Sequence, residues 1–157
     1  MISAGNMKSS LTGHAEEEKE KFLTFALNDE IYGLEVMQVK EIISTREITR
    51  VPHTPSHIQG VINQHGRVVP VMNLRARFGI EDVKYGDDAC IVITQLGDAM
   101  IGILVDSVED VYDIAMDEIQ NSPEFGEHID VSFIIGIATV NKNVKILLDM
   151  EKVLKWD

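Results

Sequence analysis

The chain has 157 residues, with 45% hydrophobic and 25% charged residues, as expected for a soluble globular protein. Its net charge of −12 disfavours nucleic acid and direct membrane contact, because such a surface repels phosphates and anionic lipid. No apolar run approaches the ~20 residues that cross a bilayer, and no signal-peptide stretch is visible. The single cysteine, Cys90, excludes an internal disulfide, so we predict a cytoplasmic protein with Cys90 as a small core residue.

The first predicted feature is an acidic N-terminal tail, residues 1–20, which lacks apolar periodicity and is expected to be mobile. Strands are predicted at 22–27 and 30–36, joined by a turn at 28–29. A third strand is predicted at 39–45, where β-branched residues outweigh a helical interpretation. The first part of the chain is therefore a small β-module behind a tail.

A β-hairpin is predicted after the proline-containing segment 51–55, which interrupts regular structure. Its arms are residues 61–63 and 67–72, and Gly66 is placed at the turn to take a positive φ. Pro70 lies within the second arm and lacks an N–H donor. We therefore expect this arm to be an edge strand or to be bulged.

The second half of the chain follows the same plan. Asn73 is expected to cap a short helix, residues 74–78, and Asp149 to cap a final helical turn. The strands predicted between these two points are 89–95, 99–106, 108–114, 134–140 and 144–148. Short strands with helix only at the joints favour barrels over a parallel α/β fold. We predict an all-β fold with two small barrels side by side.

Two pairs of segments repeat each other in the same order. Residues 27–42 and 96–111 align without a gap, and residues 60–78 and 136–154 share a pattern of strand, turn, strand and helix. The identical pairs are Leu27/Leu96, Asp29/Asp98, Gly33/Gly102, Val36/Val105 and Val39/Val108. The repeat predicts one domain, residues 21–157, made of two pseudo-repeated subdomains.

The sequence contains no arrangement typical of catalysis or of cofactor binding. A proline between His53 and His57 disfavours the helix that would turn both toward one metal ion. Asp106, Glu109 and Asp110 would be the residues of a metal-assisted hydrolase, but they alternate with apolar residues, as on a solvated strand face. Phosphate-loop and dinucleotide motifs are lacking. We predict a binding protein with no catalytic, cofactor-binding or metal-binding residues.

Two runs of sequence carry a specific family motif, and shorter matches accompany them. The runs are Val-Pro-His-Thr-Pro-Ser-His-Ile-Gln-Gly-Val-Ile-Asn at 51–63 and Gly-Arg-Val-Val-Pro-Val-Met-Asn-Leu-Arg at 66–75. The shorter matches are Phe25, Tyr-Gly at 32–33, Val-Lys-Glu-Ile at 39–42, Gly-Ile-Leu-Val-Asp at 102–106 and Pro-Glu-Phe at 123–125. Together they closely resemble the signature of the CheW family of bacterial chemotaxis adaptor proteins. The resemblance extends over residues 21–154.

The resemblance implies two intertwined five-stranded barrels like those of SH3 domains, with a few short helices. It implies a scaffold that couples the cytoplasmic tip of chemoreceptors (methyl-accepting chemotaxis proteins) to the regulatory domain of the histidine kinase CheA. It places the protein in the cytoplasm, at receptor arrays of the inner membrane. Barrel-to-barrel contacts of this kind can build rings and lattices. A scaffold of the same fold that serves a non-chemotaxis kinase pathway is the alternative.

The resemblance also assigns partner-binding residues. Val39, Glu41 and Gly60 match positions at or near partner surfaces, and Phe125 matches an aromatic residue used in ring contacts. The family usually has Asn-Leu-Arg-Gly at the hairpin tip, whereas this chain has Asn-Gln-His-Gly, with His65 in place of the arginine. An arginine binds an acceptor at any pH, whereas an imidazole is mostly neutral at neutral pH. We hypothesise that His65 keeps a weaker, pH-dependent version of that contact.

Overall fold

The computed structural model describes residues 19–82, 84–121 and 130–155, and strands dominate these ranges. The strands are β1 (Lys19–Leu27), β2 (Glu30–Glu35), β3 (Val39–Ser44), β4 (Ile58–Gln64), β5 (Arg67–Asn73), β6 (Cys90–Leu96), β7 (Ala99–Val105), β8 (Ser107–Ala115), β9 (Ile134–Val140) and β10 (Asn143–Leu148). The α-helices are α1 (Leu74–Phe78) and α2 (Met150–Val153), and single 3₁₀ turns lie at Val36–Gln38, Met116–Glu118 and Val131–Phe133. Within these ranges, no helix has the length and apolar character that crossing a membrane requires. The predicted all-β fold class is confirmed.

Each of the two five-stranded sheets combines strands from both halves of the chain. One sheet has the order β8-β1-β2-β10-β9, and the other has the order β3-β6-β7-β5-β4. Replacing every strand by its equivalent in the other half converts one order into the other, so the sheets are related by a pseudo-two-fold axis. Each sheet takes two strands from one half and three from the other. The predicted intertwining of two barrels is therefore confirmed.

The repeated Gly33 and Gly102 lie where the two halves meet in parallel pairs. Gly33 on β2 pairs with Leu147 on β10, and Gly102 on β7 pairs with Val71 on β5. A Cβ on Gly33 would lie 3.0 Å from Leu147 Cδ2, and one on Gly102 would lie 2.7 Å from Ile91 Cγ2. Glycine recurs at this point, where a Cβ would force a neighbouring side chain to shift.

The largest of three hydrophobic clusters in the described part of the chain joins the two sheets. Its buried residues come from strands of both halves and include Leu23 and Leu27 of β1, Ile103 of β7 and Leu148 of β10. Cys90 is half-buried at the margin of this core, as predicted for a small packing residue. Because both halves contribute to one core, neither half has a complete core of its own.

Three local predictions have different outcomes. The prediction that β5 is an edge strand or bulged is wrong, since β5 lies between β7 and β4 and the register shift in the β4–β5 pair falls on β4, between Ile58 and Gly60. Pro70 is tolerated there because the parallel ladder with β7 begins one residue later, at Val71. Asn73 does cap α1, since its side chain accepts a hydrogen bond from the Arg75 N–H at 3.0 Å. Asp149 occupies the N-cap position of α2, but its side chain accepts no capping hydrogen bond.

Candidate partner-binding surface

Three polar side chains bring the edge strands β3 and β4 of one sheet together. Gln64 Nε2 donates to Glu41 Oε1 at 2.8 Å, and His65 Nε2 lies 3.6 Å from the same oxygen. We call Glu41, Gln64 and His65 the seam cluster. Arg46 spans the same gap, because its Nη1 donates to the Asn63 carbonyl at 3.2 Å. The sheet therefore curls into a barrel whose edges are joined by side chains.

The hairpin turn between β4 and β5 holds His65 in an exposed position. His65 and Gly66 have φ angles of 56° and 81°, the two positive values of a type I′ turn. The Asn63 side chain accepts a hydrogen bond from the Gly66 N–H at 2.9 Å. The His65 side chain is 78% exposed and that of Glu41 is 42% exposed, so a partner can reach both. An exposed ion pair of this kind contributes little to the folding stability. A partner can therefore replace the contact between His65 and Glu41 at little cost to the fold.

Gly60 and Val39, two further predicted partner-binding residues, are less accessible. Gly60 is buried, with a φ of 155°, and a Cβ there would lie 2.7 Å from Ile48 Cγ2 and closer still to the Thr49 carbonyl oxygen. Val39 is half-buried and packs against the main core. The structure thus brings Glu41 and His65 together, whereas Gly60 and Val39 shape the strands beneath them. Phe125 lies outside the described residues.

Exposed apolar residues at equivalent positions of the two sheets were not predicted. Ile42 on β3 and Val111 on β8 are 44% and 47% exposed. Val68 on β5 and Val144 on β10 are 67% and 46% exposed. We call these two sets, Ile42 with Val68 on one sheet and Val111 with Val144 on the other, the paired apolar patches, although the two members of each set lie on strands that are not adjacent. The sequence signal was present, because both pairs align in the internal repeat.

The three carboxylates weighed as a metal or catalytic cluster are each engaged elsewhere. Asp106 pairs with the buried guanidinium of Arg75, and Glu109 accepts from the buried Lys145 ammonium at 3.1 Å through both oxygens. Asp110 accepts a hydrogen bond from the N–H of the next residue at 2.8 Å. In the ranges that the structure describes, no three His, Cys, Asp or Glu residues are grouped to hold a metal ion. These carboxylates stabilise strands.

Comparison with known proteins identifies the family. A family model described as the CheW-like domain matches residues 21–157. The chain belongs to the CheW family. It is 34% identical to the chemotaxis protein CheW of Klebsiella aerogenes over 146 residues, which cover 93% of this chain and 87% of that protein. It is 37% identical to the chemotaxis protein CheW of Bacillus subtilis over 105 residues, or 67% of each chain.

A solved CheW structure has the same fold. The crystal structure of the scaffolding protein TtCheW from Thermoanaerobacter tengcongensis matches with a TM-score of 0.81 and 32% sequence identity, covering 88% of this chain and 94% of that chain. The CheW family consists of non-catalytic adaptors in chemotaxis signal transduction, so this chain is not an enzyme. Its function is to couple chemoreceptors to the histidine kinase CheA.

Proposed function

We propose that this CheW-family adaptor uses separate surfaces of its two sheets for the cytoplasmic tip of a chemoreceptor and for the regulatory domain of CheA. The observation that carries the proposal is the pair of equivalent apolar patches, one on each sheet. Exposed apolar side chains that recur by pseudo-symmetry are better explained by two contacts than by chance. The adaptor acts in the cytoplasm, at receptor arrays.

The seam cluster belongs to one of these contacts. Glu41 and His65 are exposed at the seam, and Ile42 follows Glu41 on β3 with its side chain on the opposite face of the strand. A partner that covers the β3 edge can therefore meet all three residues. Apolar contact contributes most of the affinity in such a surface, and the polar side chains supply specificity. Val39 and Gly60 contribute by holding β3 and β4 in place.

Pseudo-equivalent surfaces also favour assembly into rings and lattices. Patches on two different sheets allow one adaptor to contact two neighbours through different surfaces. A ring forms when the rotation between successive neighbours returns to the first molecule. Weak single contacts become strong together through multivalency. We also propose that residues 21–157 form one domain with two faces. Of the predicted tail, residues 1–20, Lys19 and Glu20 belong to β1, and the rest lies outside the described residues.

Capture of the two partners by charge-substituted variants tests the proposal. Ile42→Asp is expected to weaken binding of one partner by about tenfold or more, and Val111→Asp to weaken binding of the other, because a carboxylate in an apolar contact loses water without gaining a partner. The measurement is co-purification with CheA and with the cytoplasmic hairpin of a chemoreceptor. If both variants bind both partners as the unsubstituted chain does, the patches are not the contact surfaces.

A further inference from the structure

A basic pocket of about 530 Å³ opens where the two halves of the chain meet. Its walls come from the start of β4, from α1, from the 3₁₀ turn before β9 and from α2 and the residues that follow it. The lining residues are Pro55, His57, Arg77, Ser132, Phe133, Lys152 and Lys155. The partner-binding surface described above uses none of these residues.

The basic pocket is lined by equivalent positions of the two halves of the chain. His57 and Phe133 are equivalent residues of the repeat, and each holds the start of a helix through its carbonyl oxygen. The Asn73 N–H donates to His57 O at 2.8 Å, and the Asp149 N–H donates to Phe133 O at 2.8 Å. The two walls of the pocket are therefore the same structural element used twice, with different side chains. This difference gives the pocket its chemistry.

Arg77 organises the pocket by binding the end of the neighbouring helix. Its Nε donates to Val153 O at 2.8 Å, and its Nη2 donates to the carbonyls of Lys152, at 3.0 Å, and Lys155. Its guanidinium carbon lies 4.8 Å from the centre of the Phe133 ring. The end of a helix carries partial negative charge on its free carbonyls, and Arg77 offsets that charge. The pocket is consequently basic although a helix ends beside it.

Among the residues that the structure describes, three cationic side chains and no carboxylate line the pocket, in a protein whose net charge is −12. Charges interact over about 8 Å at physiological salt, so a ligand in the pocket responds to its lining and not to the whole molecule. Asp130 is an acidic neighbour among the described residues, and its carboxylate accepts the Ser132 N–H at 2.9 Å. Burial, and next the charge of Arg77, lower the pKa of His57, so the imidazole adds no charge at neutral pH.

We propose that the basic pocket binds an acidic peptide segment of a partner protein. Carboxylates of the segment pair with Lys152 and Lys155 at the exposed rim, and an apolar side chain of the segment packs on Phe133 and Pro55. A peptide fits this lining better than a small phosphate does, because both lysines are exposed beside an apolar wall and Nε and Nη2 of Arg77 are engaged by backbone carbonyls. Tight phosphate binding needs several donors that converge on one point.

Fluorescence anisotropy with a labelled peptide tests the proposal on the full chain. The probe is the pentapeptide Glu-Glu-Phe-Glu-Glu, and its neutral control is Gln-Gln-Phe-Gln-Gln. The test variant is Lys152→Gln with Lys155→Gln, and the matched control is Lys40→Gln with Lys142→Gln, which removes the same charge from exposed positions elsewhere. We expect the test variant to bind the acidic probe about tenfold more weakly and the control variant to bind it almost unchanged.

Three results would overturn the proposal. Equal loss of affinity in both double variants would mean that the probe responds to net charge alone. Equal binding of the acidic and neutral peptides would exclude recognition of carboxylates. Inorganic phosphate and unlabelled peptide are compared as competitors of the probe. If phosphate displaces the probe at the same concentration as the peptide does, the pocket is a site for small anions. A thermal melt of each variant is included, since all four lysines are exposed and the fold is expected to be retained.

Discussion

At the tip of the β4–β5 hairpin, a histidine stands where the family usually has an arginine. His65 lies 3.6 Å from Glu41, and its imidazole can bind an acceptor as a cation only when protonated. We therefore expect affinity for the partner that contacts the seam cluster to rise as the pH falls from about 8 to about 6. The measurement is the dissociation constant as a function of pH.

His65→Arg is expected to bind that partner tightly with no such pH dependence, because a guanidinium keeps its charge. His53→Arg is the matched control, since His53 is also exposed with a positive φ but lies in another loop. Unchanged affinity of the unsubstituted chain between the two pH values would contradict the hypothesis.

A second pH effect arises from Glu35, at the end of β2. Its pKa is raised to about 7, chiefly by a side-chain hydrogen bond with Glu20 and then by burial and by the charges of Glu20 and Asp149. The folded state therefore holds a proton that the unfolded state releases at lower pH, between about 4.5 and 7. Stability is highest below this window and falls as the pH rises through it.

Glu35→Gln is expected to abolish this fall, because an amide stays neutral and can still donate to Glu20. Thermal unfolding at a series of pH values measures the effect, with Glu30→Gln on the same strand as the control. A melting temperature of the unsubstituted chain that rises from pH 5 to pH 7 relative to that of Glu35→Gln would show that Glu35 is ionised in the folded protein.

At the scale of the strands, the close approach of segment 48–49 to β4 depends on Gly60. The backbone of Thr49 bridges to Val61, and the equivalent bridge in the other half joins Gln120 to Ile137. Gly60→Ala is expected to lower the free energy of unfolding by roughly 1–3 kcal/mol, because a Cβ is incompatible with this backbone conformation. Gly86→Ala, at a position with open space around it, is the control.

Urea-induced unfolding measures the free energy of unfolding of each variant. Together with a partner-binding assay, it separates two roles for Gly60. Loss of partner binding together with loss of stability means that Gly60 acts by shaping β4. Loss of partner binding at unchanged stability would instead make Gly60 a contact residue, as the family resemblance implies.

At the scale of the whole molecule, ring and lattice assembly is predicted to depend on Phe125. Phe125→Ala is expected to fold normally and to weaken assembly, because the sequence predicts a loop around Phe125 and an aromatic residue in a loop serves an interface better than it serves a core. Thermal unfolding and sedimentation of mixtures with CheA measure the two effects. Phe133→Ala is the contrasting variant, since Phe133 packs on the Phe78 ring and its loss should destabilise the fold. An unfolded Phe125→Ala variant would place Phe125 in the core.

Local sequence patterns determined most of the secondary structure. Strand alternation, the Asn73 cap and the type I′ position of Gly66 depend on residues a few places apart, so they can be predicted without knowing the fold. The family assignment also depends on local sequence, since the motifs that carry it are contiguous runs of residues. The candidate site was predictable in part. The resemblance selected Glu41 and His65, but it did not select the exposed apolar residues Ile42 and Val68.

Only the tertiary structure decided how the strands are exchanged and what they bring together. The β1–β8 contact between Thr24 and Glu109 joins residues 85 positions apart, and the interior place of β5 depends on pairing with β7 from the other half. The basic pocket forms where helices from both halves meet. Alternation fixes which face of a strand is buried but not which strand lies beside it, because pairing is decided by the packing of the complete core.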